Sequence, residues 1–137
     1  MGGTENLARS EHSIAAITRR ILAGLKAENI EIWSHPEDWR EYLECQFLAR
    51  FIIFELQAWI NNKRLCINIG SGYATSMKDI VDAASELLGY EGQFSFTEPR
   101  RCGPVPCVIG VPKHYNCDYD SDFFESLKRC YRDWGLI

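Results

Sequence analysis

The sequence predicts a small mixed α/β unit of about four short strands and four helices. Apolar residues recur at helical spacing in some segments and alternate with polar residues in others, and glycine or proline separates the segments. A length of 137 residues with 46% hydrophobic and 25% charged residues is typical of one folded domain. We expect a loose lead-in over residues 1–12 and the domain over residues 13–137.

The N-terminal half contains two predicted helices and two predicted strands. The first helix begins at Ser13, because isoleucine and leucine then recur at helical spacing up to Leu25. Residues 30–33 alternate as a short strand, and residues 40–44 are a second candidate strand. Residues 46–60 are too long and too apolar for one strand, so they predict a helix buried on most of its circumference. The alternative for this helix is a partner interface, since apolar surface left uncovered would favour dimerisation.

The middle of the chain predicts a strand, a turn and a capped helix. Residues 65–69 are the strand, and Gly-Ser-Gly at residues 70–72 forms the turn. Ser76 is suited to cap the following helix, with Asp79 three residues further on. Gly89 is a natural C-terminal stop for this helix.

The C-terminal part predicts a strand at residues 94–96, a loop at residues 99–112 and a closing helix at residues 121–134. Four soft metal ligands lie in or beside the loop: Cys102, Cys107, His114 and Cys117. Their spacings are wider than the short Cys-x-x-Cys knuckles of structural zinc sites, so we predict no metal site.

The net charge and the hydropathy of the chain limit the classes of partner that we expect. The net charge of −4 gives no electrostatic reason to expect nucleic acid or an anionic membrane. No apolar run is long enough to span a bilayer, and the first residues lack an apolar signal core. We therefore expect a cytoplasmic protein whose six cysteines are free thiols.

Three segments, in order, carry a family resemblance. Residues 30–43, IEIWSHPEDWREYL, resemble W-G-x-G-x-x-x-R-D-Y, and residues 67–92 resemble NIGSG-x-x-x-S followed by an acidic residue and a distant glycine. PRRCGPVP at residues 99–106 resembles P-R-R-x-G-D-x-P. These patterns are typical of the NAD-dependent epimerase/dehydratase family, the extended short-chain dehydrogenases that act on nucleotide sugars. The chain resembles the GDP-sugar branch, and its third segment is equally similar to UDP-galactose epimerases.

The resemblance covers roughly Ser10 to Trp134 and implies the C-terminal substrate-binding portion of that family. Two arginines of this portion hold the diphosphate, and by position they are Arg40 and Arg101, with Arg100 as an alternate for the second. A planar guanidinium can bind phosphate oxygens through two hydrogen bonds at once. The alternative for these arginines is an ordinary solvated surface charge.

Trp33 lies where the family often places a side chain beside the nucleobase, and an indole face suits such stacking. Its alternative role is a core anchor. The glycine turn at residues 70–72 could in principle cradle phosphate, but a tight connection between strand and helix is favoured. The resemblance also implies, on weaker grounds, that His12 and Ser13 lie near the sugar nucleotide.

The sequence also departs from the family. It contains no G-x-x-G-x-x-G turn and no Tyr-x-x-x-Lys pair, so we expect no catalytic residues and no cofactor bound by this chain alone. NAD(P) would belong to the complete family enzyme. Pro104 replaces the aspartate of the third motif, and Glu-Cys-Gln at residues 44–46 replaces a usual Val-Asp-Asp.

These observations predict a truncated or split nucleotide-sugar epimerase, dehydratase or reductase that recognises diphosphate and base without performing the redox step. The expected partners are a nucleotide sugar and either a second copy of the chain or a complementing dinucleotide-binding chain. The alternative is a non-catalytic interaction or dimerisation module that reuses the same fold.

Overall fold

The computed structural model describes residues 13–62, 67–97 and 123–137. In chain order, the elements are α1 (Ser13–Ala23), β1 (Asn29–Ile32), β2 (Trp39–Glu41), α2 (Cys45–Asn62), β3 (Ala74–Ser76), α3 (Met77–Leu88), β4 (Gln93–Phe96) and α4 (Phe123–Asp133). The described residues therefore form four helices and four short strands, and the predicted mixed α/β class is confirmed.

The strands form two separate two-stranded sheets. Strands β1 and β4 are parallel, with Ile30 opposite Phe94. Strands β2 and β3 are antiparallel, with Arg40 opposite Thr75. The second pairing places Arg40 directly beside the segment that leads into α3, because β3 ends at the residue before that helix.

One hydrophobic core joins α1, α3 and α4 to β1. Its buried members are Ile14, Ile17, Ile21, Ile30, Ile32, Met77, Ile80, Val81, Ala84, Tyr90, Leu127 and Tyr131. Within this core the hydroxyls of Thr18 and Tyr131 are hydrogen-bonded at 2.7 Å. Thr18 donates its own proton to the Ile14 carbonyl, so Tyr131 is the donor to Thr18. Burial raises the pKa of Tyr131 to about 12.

Helix α3 has the two ends that the sequence predicts. The Ser76 hydroxyl accepts a hydrogen bond from the Asp79 backbone N–H at 3.0 Å, and the Asp79 carboxylate accepts one from the Ser76 N–H at 3.2 Å. This reciprocal pair satisfies donors that a helix N-terminus would otherwise leave unpaired. At the other end Gly89 adopts a left-handed conformation with φ of 69°, which side chains other than glycine rarely tolerate.

Helix α2 differs from its prediction. Phe47, Phe51 and Glu55 are buried at four-residue intervals and form its inward face. Five large apolar side chains are exposed instead: Ile52, Ile53, Phe54, Leu56 and Ile60. The expectation that α2 is buried on most of its circumference is therefore wrong, since the described residues cover essentially one face of this helix. No helix within the described ranges is long and apolar enough to cross a membrane.

Two predicted strands are displaced. Residues 67–69 are not in a strand, and the ladder forms at β3 instead, because β3 is the segment that lies opposite β2. The strand expected at residues 40–44 starts one residue earlier and ends at Glu41. The lead-in at residues 1–12 and the whole loop at residues 99–112 lie outside the described residues, as do residues 65–66.

Candidate functional site

A cleft of about 340 Å³ lies beside α1 and the loop between β1 and β2. Helix α1 forms one wall through Ser13, Ala16, Ile17 and Arg20. These residues follow the i, i+3, i+4, i+7 spacing that aligns side chains along one face of a helix. The cleft therefore has an apolar middle with a hydroxyl at one end and a guanidinium at the other.

The opposite wall brings together two residues that the sequence singled out. Trp33 follows directly after β1 and is 66% exposed, so the core-anchor alternative does not hold for it. Arg40, on β2, is exposed and donates a hydrogen bond from Nη1 to the Trp39 carbonyl at 2.7 Å. Both residues line the same cleft, although they are seven positions apart in sequence. An indole and a guanidinium thus face one space.

Arg20 is a cleft residue that the sequence interpretation missed. Its guanidinium carbon lies 3.9 Å from the centroid of the Trp33 ring, which is a cation–π distance. Its Nη1 also donates to the Glu31 carbonyl at 2.8 Å, so the side chain is held across β1. The signal that could have found it is its position two helical turns after Ser13 on α1.

Ser13 is held at the end of the cleft by a hydrogen bond between its hydroxyl and the Tyr42 hydroxyl at 2.8 Å. Burial raises the pKa of Tyr42, and the bond to Ser13 only partly opposes that shift. Tyr42 is therefore neutral around pH 7 and can act as a hydrogen-bonding anchor. His12, which the resemblance placed near the sugar nucleotide together with Ser13, lies outside the described residues.

The glycine turn at residues 70–72 does not present a phosphate cradle. The Gly72 N–H donates to the Glu41 carboxylate at 2.7 Å, and the Ser71 hydroxyl donates to the same oxygen at 3.3 Å. A Cβ on Gly70 would lie 2.3 Å from that oxygen, so the carboxylate packs directly against the backbone. An internal anion occupies these donors, and the turn does not fit the pyrophosphate of a dinucleotide cofactor.

Several candidates lie where the structure gives no description. Arg100 and Arg101 fall there, as do the four candidate zinc ligands Cys102, Cys107, His114 and Cys117. Among the described cysteines, Cys45 is exposed, Cys130 is buried, and both are free thiols.

The curated proteins that the chain matches include two synthases of GDP-sugars. GDP-L-colitose synthase of Yersinia pseudotuberculosis is 25% identical over 96 residues, which are 69% of this chain and 31% of that protein. GDP-L-fucose synthase 1 of Arabidopsis thaliana is 26% identical over 89 residues, covering 64% of this chain and 27% of the relative. No protein-family model matches the chain.

Solved structures share the fold over nearly the whole chain. A GDP-6-OMe-4-keto-L-xylo-heptose reductase from C. jejuni superposes with a TM-score of 0.76 at 18% identity, covering 98% of this chain and 51% of that one. The chain is thus similar in sequence to GDP-sugar synthases and shares its fold with nucleotide-sugar reductases. Two further solved structures share the fold. A GDP-mannoheptose C4 reductase from Campylobacter jejuni with NADP bound has a TM-score of 0.70 at 16% identity, covering 98% of this chain and 46% of that one. The UDP-glucose 4-epimerase of Thermotoga maritima has a TM-score of 0.69 at 18% identity, covering 98% of this chain and 43% of that one.

The chain spans about half the length of these solved structures and under a third of the curated relatives that it matches. These similarities agree with the resemblance that the three sequence motifs carried.

Proposed function

We propose that this chain is the nucleotide-sugar recognition part of an NAD-dependent epimerase, dehydratase or reductase. The observation that carries the proposal is the cleft in which Arg20, Trp33 and Arg40 meet. The printed names of the relatives, which include GDP-sugar synthases and reductases, support a nucleoside-diphosphate sugar as its ligand.

The diphosphate would bind to the guanidinium groups. Arg40 extends from a paired strand, and Arg20 is held by the Glu31 carbonyl, so both arginines are partly oriented before a ligand arrives. Charge-assisted hydrogen bonds to phosphate are stronger than neutral ones, and arginine can make two of them in parallel. Arg101, with Arg100 as its alternate, would complete the clamp from the loop at residues 99–112.

The nucleobase would stack on Trp33. One face of its indole ring already carries the Arg20 guanidinium, and 66% of the side chain remains exposed. A base on the free face would complete a sandwich with the ring in the middle. The cleft volume of about 340 Å³ lies within the range of small-molecule sites.

The redox step would depend on residues outside this chain. The sequence has no glycine-rich dinucleotide turn and no Tyr-x-x-x-Lys pair, and the glycine turn at residues 70–72 is engaged with Glu41. We propose that NAD(P) is held by a complementing dinucleotide-binding part. In that arrangement this chain contributes substrate orientation and no catalytic residue.

The exposed face of α2 supports such a complement. Five large apolar side chains on one helix are more than isolated surface residues, and extended apolar patches usually mark an interaction site. Sedimentation of the purified chain separates the two candidate partners. If the chain is a dimer and Ile53→Lys dissociates it, the exposed face of α2 binds a second copy. If the purified chain is a monomer, the face remains available to a complementing chain.

A thermal-unfolding screen tests nucleotide-sugar binding directly. The chain is melted with GDP-, UDP-, CDP- or dTDP-sugars, and with NAD(P) as the negative control. A ligand at about 100 times its Kd adds about 2.7 kcal/mol to the folded state and raises the melting midpoint. We expect one nucleotide-sugar class to raise it.

The matched variants are Arg40→Ala and Arg132→Ala. Both arginines are exposed, but Arg132 lies on α4 and does not line the cleft. Arg40→Ala should abolish the shift, and Arg132→Ala should leave it unchanged. A cooperative melt that no nucleotide sugar moves would contradict the proposal.

A further inference from the structure

Asp38 is a buried carboxylate at the cleft that the family motif does not assign. It lies in the loop just before β2, lines the cleft and is 3% exposed. Its backbone is fixed at both ends, since its N–H donates to the His35 carbonyl at 3.0 Å and its carbonyl accepts from the Met77 N–H at 2.9 Å. The position of the side chain is thus set by the turn and by the start of α3.

The two oxygens of Asp38 differ. Oδ2 accepts a hydrogen bond from the Ser34 hydroxyl at 3.2 Å. Oδ1 is buried and has no hydrogen-bond partner within the part of the chain that the structure describes. An unpaired buried carboxylate oxygen is costly, and such groups in native proteins usually serve a purpose or await a partner. Within the described ranges, the buried Trp134 Nε1 also has no hydrogen-bond partner, but Trp134 does not line the cleft.

We propose that Asp38 selects the base of the bound nucleotide by accepting hydrogen bonds from guanine. This inference rests on the proposed nucleotide-sugar function. An ionised carboxylate is an acceptor only, so its partner must be a donor. Guanine presents two adjacent donors, N1–H and the 2-amino group, to one acceptor. Uracil presents a single N–H between two carbonyl oxygens, which would bring negative partial charge beside the carboxylate.

The surroundings suit this role. Trp33 and Asp38 line the same cleft, so one residue can stack on a base while the other reads its edge. Ser34 engages only Oδ2 and so leaves Oδ1 to the ligand. Arg20 and Arg40 line the cleft as well and provide positive charge for the phosphates of the same nucleotide.

Titration calorimetry on the full chain tests the proposal first without any variant. The probes are GDP, UDP and inosine diphosphate, which keeps N1–H but lacks the 2-amino group. GDP should bind about tenfold or more tightly than UDP, because a paired hydrogen-bond contact discriminates by about that factor. Inosine diphosphate should fall between them. Equal affinity for GDP and UDP would overturn the proposal.

The variant Asp38→Asn should lower the affinity for one nucleotide and raise the affinity for another. It should lower the affinity for GDP about tenfold and raise that for xanthosine diphosphate, which carries a carbonyl in place of the 2-amino group. The matched control is Glu37→Gln, which removes the neighbouring exposed carboxylate and should change neither affinity.

The outcomes separate this inference from the function on which it rests. If GDP and UDP lose affinity equally in Asp38→Asn, the carboxylate contacts a hydroxyl of the ribose or sugar, and base selection is refuted. If Arg40→Ala abolishes binding but Asp38→Asn leaves the GDP-to-UDP ratio unchanged, only this inference fails. If no nucleotide binds the wild-type chain, both proposals fail.

Discussion

Helix α3 leaves none of its large apolar side chains exposed, whereas helix α2 leaves five exposed on a longer and more apolar segment. Helix α3 also has a defined cap at each end. The difference shows that apolar content alone does not tell whether a helix belongs to the core of its own chain. Helix α3 is completed by α1 and α4, and α2 retains a surface suited to something further.

A matched pair of isoleucine truncations would test this contrast most strongly. Ile80 on α3 is fully buried, and Ile53 on α2 is 73% exposed. Ile80→Ala should lower the free energy of unfolding by about 2–5 kcal/mol, because it removes buried methyl groups and leaves a cavity. Ile53→Ala should change it by about 0.5 kcal/mol or less. Equilibrium urea denaturation measures both, and similar losses would remove the distinction between the helices.

The core around α3 also has a pH signature through Tyr131. Its pKa is about 12 in the folded chain against 10.0 for a free tyrosine, so folding favours the neutral phenol. That stabilisation is fully present below pH 10 and is lost as the pH rises through 12. Relative to Tyr131→Phe, the wild type should lose about 2–3 kcal/mol between pH 9 and pH 12. Parallel pH dependence of the two proteins would contradict the rise in the Tyr131 pKa that burial causes.

The cap of α3 should contribute less than its buried face. Ser76→Ala removes the hydroxyl that accepts from the Asp79 N–H, and should cost about 1 kcal/mol of unfolding free energy. Ser76→Thr keeps a hydroxyl and should recover most of that loss. Denaturation midpoints of the three proteins provide the measurement, and an Ala variant as stable as the wild type would count against the capping box.

The smallest effect on stability is expected on the open face of α2. Replacing Ile53 and Ile60 by lysine should change the free energy of unfolding by about 0.5 kcal/mol or less, because both side chains are exposed. The same change should reduce the fluorescence of a dye that binds apolar surfaces. Loss of folding in this double variant would mean that the face is packed within the chain.

Local signals were the part of the fold that the sequence predicted well. Ser76, Asp79 and Gly89 define α3 because a cap depends on residues within one helical turn. Strand β3 was missed because Ala-Thr-Ser shows no apolar alternation, and its position depends on pairing with a distant strand. The extent of the exposed face on α2 could not be predicted either, since periodicity identifies an apolar face without saying what covers it.

Some residues of the candidate site could be predicted from sequence motifs, and others became apparent only in the structure. Trp33 and Arg40 were found through motif positions, and both line the cleft. Arg20 and Asp38 were not found, because their relevance depends on where α1 and the loop before β2 meet in space. Arg100 and Arg101 remain predictions from the motif.

The hydrogen bond between Thr18 and Tyr131 joins residues 113 positions apart. Strand β1 likewise pairs with β4, which follows it after two helices and two strands. Contacts of such long sequence separation form slowly, because a large loop must close before they can stabilise the chain. During synthesis, α1 and β1 would leave the ribosome well before Leu127 and Tyr131 could cover them. The nascent chain would thus expose the apolar face of α1 until α4 emerges, and this interval is when it would be most prone to aggregation or to chaperone binding.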